Sequence, residues 1–94
     1  MHDHKTDAEQ KAIAQALLAQ LGDGTPSAQR IESSCRAGEW ELAMMEAIDD
    51  VLDGYGSVET GLVQQAIDSW SPDLRSLAVT DELRNWLAER LVTA

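Results

Sequence analysis

Apolar residues recur every three or four positions along nearly the whole chain. No segment alternates apolar with polar residues long enough to propose a strand. The spacing predicts an all-α fold, a compact bundle of about five short helices whose short loops make neighbours antiparallel. The longest unbroken pattern is the stretch from Gly38 to Gly56. On a helix, Trp40, Met44, Ala47, Ile48 and Val51 share one face, and Leu42, Met45 and Leu52 widen it, so this helix is expected to touch neighbours on two sides. The positions left for solvent are acidic: Glu39, Glu41, Glu46, Asp49, Asp50 and Asp53. Gly54 and Gly56 bracket Tyr55 and end the helix, because glycine takes left-handed backbone at little steric cost.

Weaker patterns flank this element. Residues 1–5 are expected to be a disordered tail, and 6–94 a single helical domain. Thr6-Asp7-Ala8-Glu9 has the form of a capping box, opening a helix to about Leu21 with Ile13, Ala16, Leu17 and Leu21 inward and Leu18 at the margin. Asp23-Gly24 makes a turn. Thr25 then caps and Pro26 starts a second, thinly apolar helix to about Ala37, with Ala28, Ile31 and Cys35 on its edge. Ser57 is expected to cap a helix over Val58–Trp70, with Val58, Leu62, Ala66 and Trp70 on one face and Val63 and Ile67 beside them. Ser71-Pro72 opens a short helical turn through Leu77. Thr80-Asp81-Glu82 starts the last helix, with Leu83, Trp86, Leu87 and Leu91 inward and Arg90 suited to the C-terminal end of the dipole.

Ninety-four residues suit one domain with a modest core. No apolar run has the length of a membrane span, and the first ten residues lack the basic-then-apolar form of a signal peptide. One cysteine excludes an internal disulfide. A cytoplasmic protein without a membrane partner is the expectation.

Charge changes the picture most. Lys and Arg total 7 against 17 Asp and Glu, a formal charge of −10. From Ala37 to Leu74 there are nine acids and no Lys or Arg, so nearly the whole deficit falls in the middle of the chain. Direct nucleic-acid binding is disfavoured, since phosphate contacts demand basic residues. A basic protein partner is favoured.

Several chemical motifs fall short on inspection. Asp49 to Gly54 has the look of a calcium loop, but Val51 stands where an oxygen ligand is required and Thr60 where a bidentate carboxylate is. His2-Asp3-His4 offers two metal ligands where a folded zinc site typically uses four. Cys35 is most simply a small buried hydrophobe, with no histidine nearby in sequence to act as its base. Many carboxylates are present, but the apolar pattern shows no polar pocket for two of them to share, so no enzyme, metal or cofactor is expected. Asp68-Ser69-Trp70 differs from the prosthetic-group motif of acyl carrier proteins. There the serine begins a helix and leucine follows; here Ser69 is near a helix end and tryptophan follows.

The acidic face and Tyr55 remain. An aromatic between glycines beside a carboxylate row is a plausible interface anchor, which nominates Glu46, Asp49, Asp50, Asp53 and Tyr55 as partner-binding residues. The segment Gly38-Glu39-Trp40-Glu41-Leu42-Ala43, followed by an acidic helix with Ala47, Ile48, Asp49 and Leu52, resembles the MafI-type immunity proteins of bacterial polymorphic toxin systems. The resemblance covers about Gln29–Trp70. Met45 stands where that family's pattern has glutamate, Glu46 comes one place later, and the last helix, Thr80–Val92, is additional. The resemblance implies a helical protein that binds and neutralises a cognate toxin domain, often a nuclease. The competing expectation is an acidic helical scaffold or oligomerisation module, monomer or homodimer, in which Trp40, Trp70 or Trp86 forms an apolar patch between copies.

Overall fold

The computed structural model describes residues 7–22 and 24–93, which form six helices and, among these residues, no strand. They are α1 (Asp7–Leu21), α2 (Ala28–Arg36), α3 (Trp40–Leu52), α4 (Thr60–Ser69), α5 (Pro72–Ala78) and α6 (Asp81–Thr93). The all-α bundle is as expected, with six helices rather than five, because the turn after Ser71-Pro72 is a helix of its own. The tail at 1–5, the Thr6 cap and the Asp23 half of its turn lie outside the described residues.

The third helix is central. It packs on α1, α2 and α6, while α4 packs on α1 and α6. One α3 stripe is buried: Met44 and Ile48 join Leu17 of α1 and Val63, Ala66 and Ile67 of α4 in the core, and Val51 is buried a turn further on. Trp70, just beyond α4, and Leu83 of α6 are also almost fully buried.

A second stripe of α3, Ala43, Glu46, Ala47 and Asp50, runs along α2. Its spacing of three and four matches Ser27, Arg30, Ile31 and Ser34 on the other side. The two helices are antiparallel: Ser27 meets Asp50, and Arg30 and Ser34 both meet Glu46.

Two helix ends are built alike. Gly38 and Gly54 have φ of +76° and +85°, in the left-handed region. After α2, the Glu39 amide donates to Ser34 O and the Gly38 amide to Cys35 O; after α3, Tyr55 donates to Asp50 O and Gly54 to Val51 O. Both are Schellman ends, which satisfy the last helical carbonyls. The second one fixes where Tyr55 emerges.

The helix starts differ from expectation in two places. Thr25-Pro26-Ser27 forms a turn, with the Ala28 amide donating to Thr25 O at 3.2 Å, so α2 begins at Ala28. Ser57 caps nothing; α4 begins at Thr60, after a stretch in which Gly56 crosses α1 closely. A Cβ on Gly56 would sit 2.7 Å from Leu21 Cδ2. Gln20 then clamps the strand-like segment, donating to Glu59 Oε1 and accepting from the Glu59 amide at 2.8 Å. The helix starts expected at Ser71-Pro72 and Thr80 are present, with the Ser71 and Thr80 hydroxyls accepting from the amides of Leu74 and Leu83.

The buried line of α1 also differs. Gln10, Ala14 and Leu17 are buried, while Ile13, Ala16, Leu18 and Leu21 are half-buried beside them. Helix α1 lies between α3 and α4, so its inward line bisects the apolar arc. Gln10 is accommodated there because its Nε2 donates to Ser69 O at 3.0 Å.

Candidate functional site

Packing divides the nine acids of the middle stretch into unlike groups, so they do not form one continuous anionic wall. Asp50, expected on the partner-binding face, is only 3% exposed. Its two carboxylate oxygens accept from the Ser27 amide at 3.1 Å and the Ser27 hydroxyl at 2.8 Å. It is an anchor between α2 and α3, and a partner cannot reach it. Glu46, from the same expected set, is half-buried, 3.3 Å from Arg30 Nε and accepting from Ser34 Oγ. Its charge is compensated locally. Glu41 accepts from the Ser71 amide at 2.9 Å, and Asp68 accepts from Gln64. Asp50, Glu46 and Glu41 share one reason, while the Gln64–Asp68 pair is an exposed contact within α4. A carboxylate is a good acceptor for backbone amides at helix starts and for short hydroxyls, and burying such a donor unpaired is costly.

Asp49, Asp53 and Tyr55 of the expected set are exposed. Asp49 and Asp53 are four residues apart, so they share a face of the last turn of α3 and its cap. Tyr55 follows two residues on, 58% exposed, with its backbone pinned by the Schellman bond. The sequence reading left out a fourth member, Glu82, from the first turn of α6. Asp49 and Glu82 line one groove with Met45, Ile48, Leu52, Trp70, Leu77, Ala78 and Thr80, and its volume is about 220 Å³. Leu77 is 81% exposed. Among the described residues, Asp49, Asp53 and Glu82 make no ion pair.

The electrostatics follow. The Asp49 carboxyl is pushed above its ordinary value by partial burial first, and then by Asp53, Asp50, Glu82 and Glu46. Every charged neighbour acting on it is thus another carboxylate. Like charges this close hold a negative potential that a cation would relieve.

Other depressions differ in character. One between α1, α2 and α3 is lined by Lys11, Glu32, Cys35, Arg36 and Trp40, with both signs of charge present. Cys35 there is half-buried, and burial, then Glu32 and Glu46, push its thiol up, which lowers its reactivity. Among the described residues, no group of three or more His, Cys, Asp or Glu is placed to hold a metal. His2 and His4 lie outside them. Ser69 is fully buried, its Oγ donating to Ala66 O at 2.7 Å. Trp70 is 2% exposed, so it is not available for a patch between copies. Trp40 and Trp86 pack against the core from its edge, under Lys11 and Arg90 respectively. No helix of the described residues is long and apolar enough to cross a membrane.

Neither Glu82 nor Leu77 carries a signal that sequence alone could use. Glu82 reads as an ordinary first-turn acid and Leu77 as one more apolar residue. The chain was compared with protein-family models, curated proteins and solved structures, and none of them matches it.

Proposed function

We propose that this chain is a non-catalytic, immunity-type binding protein that applies the acidic end of α3 to a basic protein partner and neutralises it. The observation that carries this reading is the pair Asp49 and Glu82 lining an apolar groove without an ion-pair partner among the described residues, with Leu77 exposed in the same lining, and with Asp53 and Tyr55 exposed further along the end of α3. Uncompensated charge raises the encounter rate with an oppositely charged partner, and exposed apolar or aromatic side chains then hold it. That the partner is a toxin domain rests on the resemblance of about Gln29–Trp70 to the MafI-type immunity proteins. A nuclease domain would suit, since its substrate-binding surface is basic.

The test begins with the purified chain as bait and, as prey, any basic toxin-like domain that sequencing of the neighbouring genes reveals. Association is followed by stopped flow over a range of salt. The double variant Asp49→Lys/Asp53→Lys is expected to slow association by at least about tenfold at low salt, and the parent's rate is expected to fall as salt rises. Equal rates for the two proteins at low salt would sink the proposal. The scaffold alternative would show as a dimer by light scattering and no association with the toxin.

A further inference from the structure

Resting on that reading, we infer that the groove between α3 and the α5–α6 junction is a receptor for a single arginine side chain of the basic partner, flanked there by aliphatic residues. Three observations converge on one occupant. The first is size. At about 220 Å³ the groove is smaller than the roughly 300–1,000 Å³ typical of small-molecule sites. It has room for one long side chain, not for a packed helix.

The second is chemistry along its length. Met45, Ile48, Leu52 and Leu77 supply an apolar trough, while Asp49 and Glu82 stand on it from two different helices. A side chain that fits must be apolar along its stem and cationic at its tip, which describes arginine and lysine. The third is the state of the carboxylates. Neither Asp49 nor Glu82 has an ion-pair partner among the described residues, although Arg84, only two positions beyond Glu82, pairs with Asp81 at 3.2 Å instead. Two carboxylates lining one groove from different helices favour the planar, weakly hydrated guanidinium, which presents donors in two directions, over the compact ammonium of lysine. Leu77 then has a purpose for its exposure: it packs against an aliphatic neighbour of the entering arginine.

The probe is the capped peptide acetyl-Ala-Leu-Arg-Leu-Ala-amide, titrated into the full ¹⁵N-labelled chain and followed by amide chemical shifts. Saturable shifts are expected at Met45, Asp49, Leu52 and the 77–82 segment. Weaker binding is expected with lysine in place of arginine, and none with citrulline, which keeps the shape and removes the charge. Asp49→Asn and Glu82→Gln should each weaken the arginine peptide roughly fivefold, and Leu77→Gln should weaken it as well. Glu39→Gln, which removes the same charge at the exposed α2–α3 turn, should not. All four substitutions are at solvent-facing positions, so folding is preserved. Shifts spread evenly over the acidic surface, or equal binding of arginine and citrulline peptides, would overturn the inference. The two readings fail separately. If Asp53→Lys slows association with the toxin while Asp49→Asn and Leu77→Gln do not, the groove assignment falls and the acidic-end assignment stands. If none of these changes alters toxin association, both fall.

Discussion

Asp50→Ala should be among the most damaging single changes to an acid in this protein, although a sequence reading would rank it as a harmless surface substitution. The carboxylate takes two hydrogen bonds from Ser27, at 3.1 Å from the amide and 2.8 Å from the hydroxyl, in a site that is 3% exposed. Hydrogen bonds to a charged group contribute about 1.5–3 kcal/mol each, and a buried donor left without a partner costs about 1–3 kcal/mol. These are overlapping accounts of the same contacts, so a loss of about 3 kcal/mol is the reasonable sum. For a domain of this size that lowers Tm by about 12–24 °C. Ser27→Ala keeps the amide bond but removes the hydroxyl's bond to Asp50 and the one it accepts from Arg30 Nη2 at 2.9 Å, and should cost about 1.5–3 kcal/mol. The double variant should then be less destabilised than the two single ones added together, by about 1 kcal/mol or more, because both changes break the same link. Urea unfolding followed by far-ultraviolet circular dichroism and by tryptophan fluorescence measures all three, with Asp53→Ala as the exposed control, expected within about 0.5 kcal/mol of the parent. If Asp50→Ala matched Asp53→Ala, or if the cycle were additive, the α2–α3 anchor would not exist and Asp50 would be a surface acid after all.

Four further outcomes follow from single residues. Asp49→Asn should stabilise the fold at neutral pH by about 0.2–0.5 kcal/mol, since it removes a like-charge pair with Asp53 four residues away. The sign comes from protonation. The folded carboxyl titrates above the unfolded one because of burial and of Asp53, Asp50, Glu82 and Glu46, so the folded chain holds more protons between the two values and loses stability as pH rises through them. The advantage of the variant should therefore vanish below the ordinary value of 3.8, and a gain that persisted there would refute the assignment. Gly61→Ala, in the first turn of α4 with open space where the Cβ would go, should raise stability by about 0.4–1 kcal/mol in thermal melts, chiefly by restricting the unfolded chain. Gly54→Ala, also in open space but at φ +85°, should lower it by about 1 kcal/mol, purely for conformational reasons. Cys35 should react with iodoacetamide more slowly than a free thiol at neutral pH, with its rate rising only at higher pH; fast alkylation at pH 7 would contradict its half-buried, acid-flanked position.

Much of the architecture is legible locally. The spacing of Trp40, Met44, Ala47, Ile48 and Val51 states that a helix forms there and which side is apolar. Gly38 and Gly54 state where chain direction must change, and Ser71-Pro72 and Thr80 state where helices start. Each of these rests on interactions within a few residues, namely helical periodicity, cap hydrogen bonds and glycine's access to positive φ. The segregation of charge is likewise a property of the chain alone.

What only the tertiary structure decided is the fate of each acid. Periodicity shows that Glu46 and Asp50 lie off the apolar stripe, but not that a second helix covers them. That depends on α2, whose polar line of Ser27, Arg30 and Ser34 supplies the donors a buried carboxylate needs. Nor can local pattern place Glu82 beside Asp49 across 33 positions of sequence, or leave Leu77 uncovered at the same groove. Burial and electrostatic potential are sums over neighbours in space, and the chain's order does not reveal who those neighbours are until the helices have packed.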